Sequence, residues 1–242
     1  MFFGKTPNKE KKLILKEKLP KEKGKLSEDN VVNVYVWYPY TNGKKTTSSS
    51  FVLSCLKQKI NSKSRNGIGH VAMDVDDTYI SWWPDATNLA QTRACIISAG
   101  EAEKQTFEQD KKAEGAEPDL IISLYSLDRD AIKEQFDKFE KTNYGWVLLG
   151  DKTTTRFLGQ QKGHSCCSMA YALLQAGGAD NLTKFTQDWM IKRFMVTPEN
   201  FVTYLQNIKN NELLYHPETK NYKAKLLTDE TVTKVFKMDK NT

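Results

Sequence analysis

Histidine and cysteine are scarce in this chain of 242 residues, so few side chains could serve as a catalytic base or as soft metal ligands. There are three histidines and four cysteines, and no two cysteines have the CxxC spacing typical of zinc and redox sites. This pattern argues against a disulfide framework and predicts neither a metal site nor a cofactor. The residues are His70, His164, His216, Cys55, Cys95, Cys166 and Cys167.

Long hydrophobic runs are absent, which argues against a transmembrane helix. The first residues also lack the apolar core and small-residue cleavage site of a secretory signal. With 39% hydrophobic and 27% charged residues, the composition is that of an ordinary globular domain. We expect the protein to be made in the cytoplasm without a signal peptide, and export by a dedicated secretion system stays open.

The net charge of +6 is confined to one end of the chain. Residues 1–26 contain nine Lys and three Glu, which accounts for the whole excess. A Lys-rich segment with few aromatic residues predicts a disordered or loosely ordered basic tail. Such a tail could make weak contact with a membrane or an acidic partner. Nucleic acid is a further conceivable contact of the tail, but a solubilising role is favoured and no nucleic-acid partner is expected.

Three stretches rich in β-branched and aromatic residues predict strands. Residues 31–40 are the first, and residues 67–84 are typical of a hairpin with a turn at Asp76 and Asp77. Residues 119–127 form the most apolar run in the chain and predict a central strand. In the hairpin, alternation predicts a core face of Val71, Met73 and Val75 and an opposite face of His70, Ala72 and Asp74.

Other stretches have helical patterns. Residues 128–141 place apolar side chains at helical spacing, and residues 197–199 combine an N-cap threonine, a first-position proline and a first-turn acid. The polar residues 85–118 lie between predicted strands and are interpreted as an excursion. Together the strands and helices predict an α+β fold.

The helix that follows Gly163 is predicted to carry a reactive thiol. Ser165 is a good N-cap, Cys166 occupies the first helical position, and Gly177 is expected to end the helix in a left-handed conformation. The helix dipole and the free amides of a first turn favour thiolate, which is the nucleophilic form of cysteine. The alternative is that Cys166 and Cys167 are small buried core residues.

A nucleophilic cysteine needs a base within hydrogen-bond reach, and His70 is the preferred candidate. His164 is too close to Cys166 in sequence for its ring to turn back easily. His216 lies beside Pro217 in a polar stretch. On an adjacent strand, His70 could approach the helix start directly.

The order of a His strand, a hairpin and a Cys helix resembles the circularly permuted papain-like cysteine enzymes. These include permuted relatives of the NlpC-type cell-wall peptidases and the lecithin:retinol acyltransferase group. The matching stretches are His70-Val71-Ala72-Met73-Asp74-Val75, Tyr79-Ile80-Ser81-Trp82-Trp83-Pro84 and Ser165-Cys166 running to Ala176-Gly177-Gly178. The resemblance covers about residues 67 to 208. It implies a papain-like fold in which an antiparallel sheet packs on the nucleophile-bearing helix.

The resemblance also implies roles for individual residues. Cys166 would be the nucleophile, His70 the base and Ser81 the third, orienting residue, with Asp119 as the alternative orienter. Family members often have His, Asn or an acid in the third position, so Ser81 is a departure. Trp82 and Trp83 could line a substrate cleft, and Cys167 is interpreted as a packing residue.

The activity implied by the resemblance is acyl transfer by a thiol hydrolase, an amidase or peptidase. The substrate would be a peptide, peptidoglycan or a protein, and the chain is similar to secreted bacterial effectors and toxins. The alternatives are an N-acyltransferase on the same fold and a catalytically weak binding module. The predicted organisation is a tail over residues 1–26, a catalytic domain over 27–209 and a polar extension over 210–242.

Overall fold

A computed structural model gives the fold of the chain over the residues that it describes. Those residues are 26–48, 50, 57, 63–65, 67–84, 102–142, 145–146, 163–183 and 197–223. The predicted basic tail, apart from Leu26, and most of the predicted C-terminal extension lie outside them, as do Cys55 and Cys95. No helix in the described part of the chain is long and apolar enough to cross a membrane.

The structure is of the α+β type. Its strands are β1 (Val32–Trp37), β2 (Tyr40–Thr41), β3 (Lys44–Lys45), β4 (His70–Val75), β5 (Thr78–Ile80), β6 (Trp83–Pro84), β7 (Ala102–Glu103), β8 (Leu120–Leu124), β9 (Gly145–Trp146) and β10 (Gly163–His164). Its helices are α1 (Phe107–Glu114), α2 (Arg129–Lys141), α3 (Cys166–Ala176) and α4 (Pro198–Tyr215). Short 3₁₀ turns follow α3 at Ala179–Asn181 and α4 at Pro217–Asn221.

The main sheet is antiparallel and has the strand order β5-β4-β1-β8 among the described residues. The predicted hairpin is confirmed as β4 and β5, which pair with Met73 opposite Ile80. In the centre, β1 pairs with β4 so that Trp37 lies opposite His70. The apolar run expected to be central is instead β8, at one end of this strand order, where α4 packs against it. Its apolar character therefore reflects the helix that covers it.

Both faces of the sheet are buried. Val71, Met73 and Val75 face the larger core, which includes α3, as the alternation predicts. Ala72 faces a second, smaller core, whose other buried members are Tyr35, Trp37 and Phe107. Because Phe107 begins α1, residues interpreted as an excursion contain a helix that covers this second face. The helix begins at a capping box formed by Thr106 and Gln109, a local signal for a helix start.

The predicted helices are confirmed with small changes at their ends. Asp128 caps α2 by accepting from the Ala131 amide, and Thr197 caps α4 with Pro198 in its first turn. At the end of α3 the left-handed residue is Gly178, with φ of 89°, rather than Gly177, with φ of −72°. A side chain on Gly177 would collide with Ile132, because a β-carbon there would lie 2.7 Å from its Cδ1 atom.

The domain continues past residue 209, since α4 runs to Tyr215. Glu212 is fully buried and accepts hydrogen bonds from the amides of Tyr125 and Ser126, at 2.6 and 2.8 Å. The Tyr222 ring then packs edge-on against Tyr125, and its hydroxyl donates to the carbonyl of Leu26 at 3.4 Å. The boundary predicted at 209–210 falls inside α4.

Candidate active site

Cys166 is the first residue of α3, and local hydrogen bonds fix the start of that helix. Ser165 accepts from the Ser168 amide at 3.2 Å, and the Ser168 hydroxyl accepts from the Ser165 amide at 2.8 Å. The amides of Cys166 and Cys167 belong to the first turn, where no intrahelical carbonyl is available to them. Cys166 as a whole residue is half-buried, and its thiol lies beside these two donors.

His70 begins β4 and lies between two tryptophans. Its ring is stacked on Trp83 with 4.4 Å between centroids and is tilted against Trp37 at 5.7 Å. The preceding residue, Gly69, has φ of 84°, and a β-carbon on it would lie 2.7 Å from the carbonyl oxygen of Trp37. Only glycine is free of strain in that conformation, so Gly69 allows β4 to enter the sheet close to Trp37.

The Nε2 atom of His70 is held by a hydroxyl and a carboxylate. Ser81 Oγ is 2.9 Å away and donates to Asp110 Oδ1 at 3.0 Å. Asp110 Oδ2 is itself 3.2 Å from Nε2. Tyr79 and Trp83 also donate to this carboxylate, each at 2.6 Å. Asp110 is therefore both fully buried and saturated with donors.

Charge on Asp110 and Cys166 makes His70 basic. Burial by itself would lower the pKa of His70, but the negative charge of Asp110, followed by that of Cys166, raises it to about 10. Burial would raise the pKa of Asp110, and the charge of His70 nevertheless holds it below its ordinary value. The pair is therefore an imidazolium and a carboxylate, which fixes the ring in one orientation.

The charge of the Cys166 thiolate raises the pKa of His70, and the charge of His70 lowers the pKa of Cys166. With Nε2 engaged by Ser81 and Asp110, the remaining ring nitrogen, Nδ1, is the one left for the thiol. A hydrogen bond from Cys167 makes the largest contribution to a pKa of Cys166 well below its ordinary value; the charge of His70 and the Val71 amide also lower it. The site therefore favours a thiolate–imidazolium pair.

Cys167 has the opposite character. Its sulfur lies 3.9 Å from that of Cys166 and is fully enclosed, and burial raises the pKa of its thiol well above the ordinary range. A thiol that stays protonated can donate to a neighbouring thiolate. The sequence predicts only a packing role for Cys167, and the structure adds this contact with Cys166.

The sequence-predicted residues divide into two groups. Cys166, His70 and Ser81 are brought together, and Trp83 joins them through its stacking on His70. Trp82 lies on the other side of the strand, buried in the larger core, and lines a cavity of about 10 Å³ with Cys166. That cavity has room for about one water molecule. Trp83 therefore shields the base, and Trp82 lies behind the nucleophile.

Asp119, the alternative orienter, is placed elsewhere. Its carboxylate accepts from the Tyr38 amide at 2.8 Å and pairs with Arg65 at 3.2 Å. The other two histidines also have separate surroundings: His164 packs on Phe139, and His216 Nδ1 is 3.4 Å from Glu218. The acid beside His70 is Asp110 and not Asp119.

Asp110 is the residue that the sequence interpretation missed. Residues 85–118 are so polar that their sequence does not indicate α1. The Thr106–Gln109 capping box is the local signal that marks the start of this helix. No local signal shows that α1 crosses the second face of the sheet, and this packing alone brings Asp110 to His70.

The described residues contain no group of three or more His, Cys, Asp or Glu side chains suited to hold a metal ion. Comparison of the chain with family models, curated proteins and solved structures found no match. The geometry of the site is therefore the basis for assigning a function.

Proposed function

We propose that this protein is a cysteine-dependent acyl-transfer enzyme, most simply an amidase or peptidase. The observation that carries the proposal is one constellation: a thiol at a helix start interacts with His70, whose Nε2 atom is held by Ser81 and Asp110. A nucleophile, a base and an orienting acid on three different elements are the parts that covalent acyl transfer requires.

In the first half of the reaction, the Cys166 thiolate attacks the substrate carbonyl carbon. Negative charge moves to the carbonyl oxygen, where the first-turn amides of α3 can donate to it. His70 then gives its proton to the departing amine as the carbon–nitrogen bond breaks, which leaves a thioester on Cys166 and a neutral imidazole.

In the second half, His70 takes a proton from water, and the hydroxide formed attacks the thioester. The carboxylic acid leaves, and the thiolate–imidazolium pair is restored. An acceptor amine in place of water would give N-acyl transfer instead. Asp110 stays ionised throughout and stabilises the imidazolium, while Ser81 keeps the ring oriented.

Asp110 favours an enzyme over a catalytically weak binding module. The argument for a weak site was that Ser81, a neutral hydroxyl, stood where an acid is common. A buried carboxylate 3.2 Å from the ring supplies the missing charge. The cost of burying such a carboxylate is offset only because four donors surround it.

We further propose that the fold is papain-like and circularly permuted. An antiparallel sheet packs against the helix that bears the nucleophile, and the His strand precedes the Cys helix in the chain. On this proposal the substrate is a peptide, peptidoglycan or a protein, as for the secreted bacterial effectors that the sequence resembles.

The proposal is tested with p-nitrophenyl acetate, a small activated ester. We expect a burst of p-nitrophenol and a single acetyl group on the peptide that contains Cys166, detected by mass spectrometry and removed by hydroxylamine. Cys166→Ala or His70→Ala should abolish both signals while the circular dichroism spectrum is retained. His164→Ala is the matched control and should keep the burst, while Cys167→Ala should keep its amplitude at a lower rate.

Two results would contradict the proposal: acetylation that persists in Cys166→Ala, or a wild-type protein that forms no thioester at Cys166. Partition of the acetyl-enzyme between water and an added amine, such as glycine amide, then separates hydrolase from acyltransferase.

A further inference from the structure

Trp82 carries a buried hydrogen-bond donor that has no acceptor. The residue is only 6% exposed, and its Nε1 atom makes no hydrogen bond within the part of the chain that the structure describes. The indole of Trp37, by contrast, donates to the carbonyl of Ala116 at 2.9 Å. That of Trp83 donates to Asp110 at 2.6 Å. Because a buried indole N–H normally has a partner, the unpaired donor of Trp82 requires an explanation.

The cavity of about 10 Å³ beside the nucleophile is lined by the same tryptophan. It lies between the start of α3, where Cys166 and Ala170 are one turn apart, and the strands β4 and β5, where Met73 pairs with Ile80. Trp82 follows directly after the end of β5. Apart from Cys166 and Trp82, the described residues that line the cavity are valine, isoleucine, alanine and methionine. An unpaired donor and the reactive sulfur therefore border one small, otherwise apolar space.

The size and lining of the cavity favour a single oxygen atom that is bonded to a group on Cys166. A buried water molecule usually makes about three hydrogen bonds, and the described lining side chains offer it only the indole of Trp82 and the sulfur of Cys166. A methyl group would leave the indole N–H unpaired. A carbonyl oxygen held in place by a covalent bond to Cys166 needs no further partners and would satisfy Nε1 of Trp82 directly.

We propose that Trp82 is a further catalytic residue, whose indole N–H donates to the oxyanion, and that this cavity receives the oxygen of the reacting carbonyl. The inference rests on the proposed function, since it adds a residue to the same site. A donor that is already in place and shielded from water stabilises developing negative charge without having to reorganise. The unpaired N–H is then explained, because its acceptor is present only during the reaction.

The step can be followed with p-nitrophenyl acetate. As the Cys166 thiolate attacks, a carbon–sulfur bond forms and one electron pair of the carbonyl double bond moves to oxygen. This oxyanion accepts from Nε1 of Trp82, together with the first-turn amides of α3. The electron pair then returns to re-form the double bond, the bond to p-nitrophenolate breaks, and an acetyl thioester remains on Cys166.

Trp82→Phe tests the assignment, because it removes the N–H and keeps an aromatic ring in the core. We expect the burst rate with p-nitrophenyl acetate to fall about 100-fold, the loss typical of one oxyanion donor. Alkylation of Cys166 by iodoacetamide should be unchanged, since that reaction displaces iodide from a saturated carbon and forms no oxyanion. Trp146→Phe, which alters another buried tryptophan of the larger core, is the matched control and should leave both rates unchanged.

A second variant separates the N–H from the size of the ring. The amino acid 3-benzothienylalanine, introduced in place of Trp82, has sulfur where indole has the N–H and keeps the shape of the side chain. We expect it to slow the burst as much as Trp82→Phe does and to leave alkylation by iodoacetamide unchanged. Because it preserves the packing of the core, it decides the question even if Trp82→Phe does not fold.

Three outcomes would overturn the inference: an unchanged burst in either folded variant, an equal slowing of the burst and of alkylation, or a wild-type burst rate with 3-benzothienylalanine where Trp82→Phe is slow. The second would show that Trp82 supports the thiolate and not the oxyanion, and the third that it only fills space. A wild-type protein that forms no thioester at Cys166 would instead count against the proposed enzyme.

Discussion

The Asp110 carboxylate lies 3.2 Å from Nε2 of His70, although His70 is on β4 and Asp110 is on α1, with β5, β6 and β7 between them in the chain. Their contact joins the second face of the sheet to the start of α3 on the first.

Replacing Asp110 by Asn should weaken the thiolate–imidazolium pair. The amide keeps the shape of the side chain but removes the charge that raises the pKa of His70. We expect alkylation of Cys166 by iodoacetamide at pH 6 to slow about tenfold, the equivalent of one pKa unit, and the pH profile to move to higher pH. The control is Asp119→Asn, which removes a carboxylate that pairs with Arg65. An unchanged profile for folded Asp110→Asn would contradict the assignment.

Loss of the Ser81 hydroxyl should have a smaller effect than loss of the Asp110 charge. Ser81→Ala removes one hydrogen bond to Nε2, but Asp110 still contacts the ring directly. At about 1 kcal/mol for that bond, we expect the ester burst rate to fall about fivefold. Ser126→Ala, which removes a hydroxyl that donates to Glu212, is the matched control. A larger loss in Ser81→Ala than in Asp110→Asn would make Ser81 the principal orienting residue.

Cys167 should support the reactivity of Cys166 without reacting itself. Its buried thiol lies 3.9 Å from the Cys166 sulfur, and its hydrogen bond is the largest of the contributions that lower the pKa of Cys166. We expect Cys167→Ala to slow iodoacetamide labelling of Cys166 at pH 6 several-fold, with the two rates converging above pH 9. Cys167→Ser, which restores a donor, should recover part of the rate. Labelling of Cys167 in folded wild type would show the opposite order of reactivity.

Gly69 should be intolerant of a side chain because two costs combine there. It has φ of 84°, and a β-carbon would lie 2.7 Å from the Trp37 carbonyl and 2.9 Å from Pro39 N. We expect Gly69→Ala to lower the free energy of unfolding by about 3 kcal/mol, measured by urea denaturation. Gly115→Ala isolates the conformational cost, since Gly115 has φ of 68° but open space around it. This substitution should lower the free energy of unfolding by only about 1 kcal/mol.

Glu114 should make stability depend on pH. Its pKa is raised to about 7 in the folded protein, from an ordinary 4.5. The unfolded chain therefore releases this proton first, and stability is lost as pH rises from about 4.5 to about 7. Glu114→Gln should abolish that loss. The free energy of unfolding of the variant, relative to that of wild type, should therefore increase by about 3 kcal/mol between pH 4 and pH 8. Parallel stability curves for the two proteins would contradict a strained, buried carboxylate.

Short-range features of the fold could be predicted from the sequence. Ser165 and Cys166 start a helix because their signals are local, and the alternation around His70 places it on a definite face. Asp110 could not be predicted in the same way, because its contact with His70 depends on α1 packing across Tyr35 and Trp37. The same limit applies to β8, which the sequence predicts in the centre of the sheet. An apolar run shows that a strand is buried, but it does not show whether neighbouring strands or a helix such as α4 bury it.

The hydrogen bond from Tyr222 to Leu26 brings residues far apart in the chain side by side. A short linker between Tyr222 and Leu26 could therefore join the two ends of the described domain. If the chain were then cut between β5 and α3, Cys166 would precede His70 in the new sequence. The order of nucleophile and base along the polypeptide would then be a matter of where the chain is cut, while the site itself would stay intact.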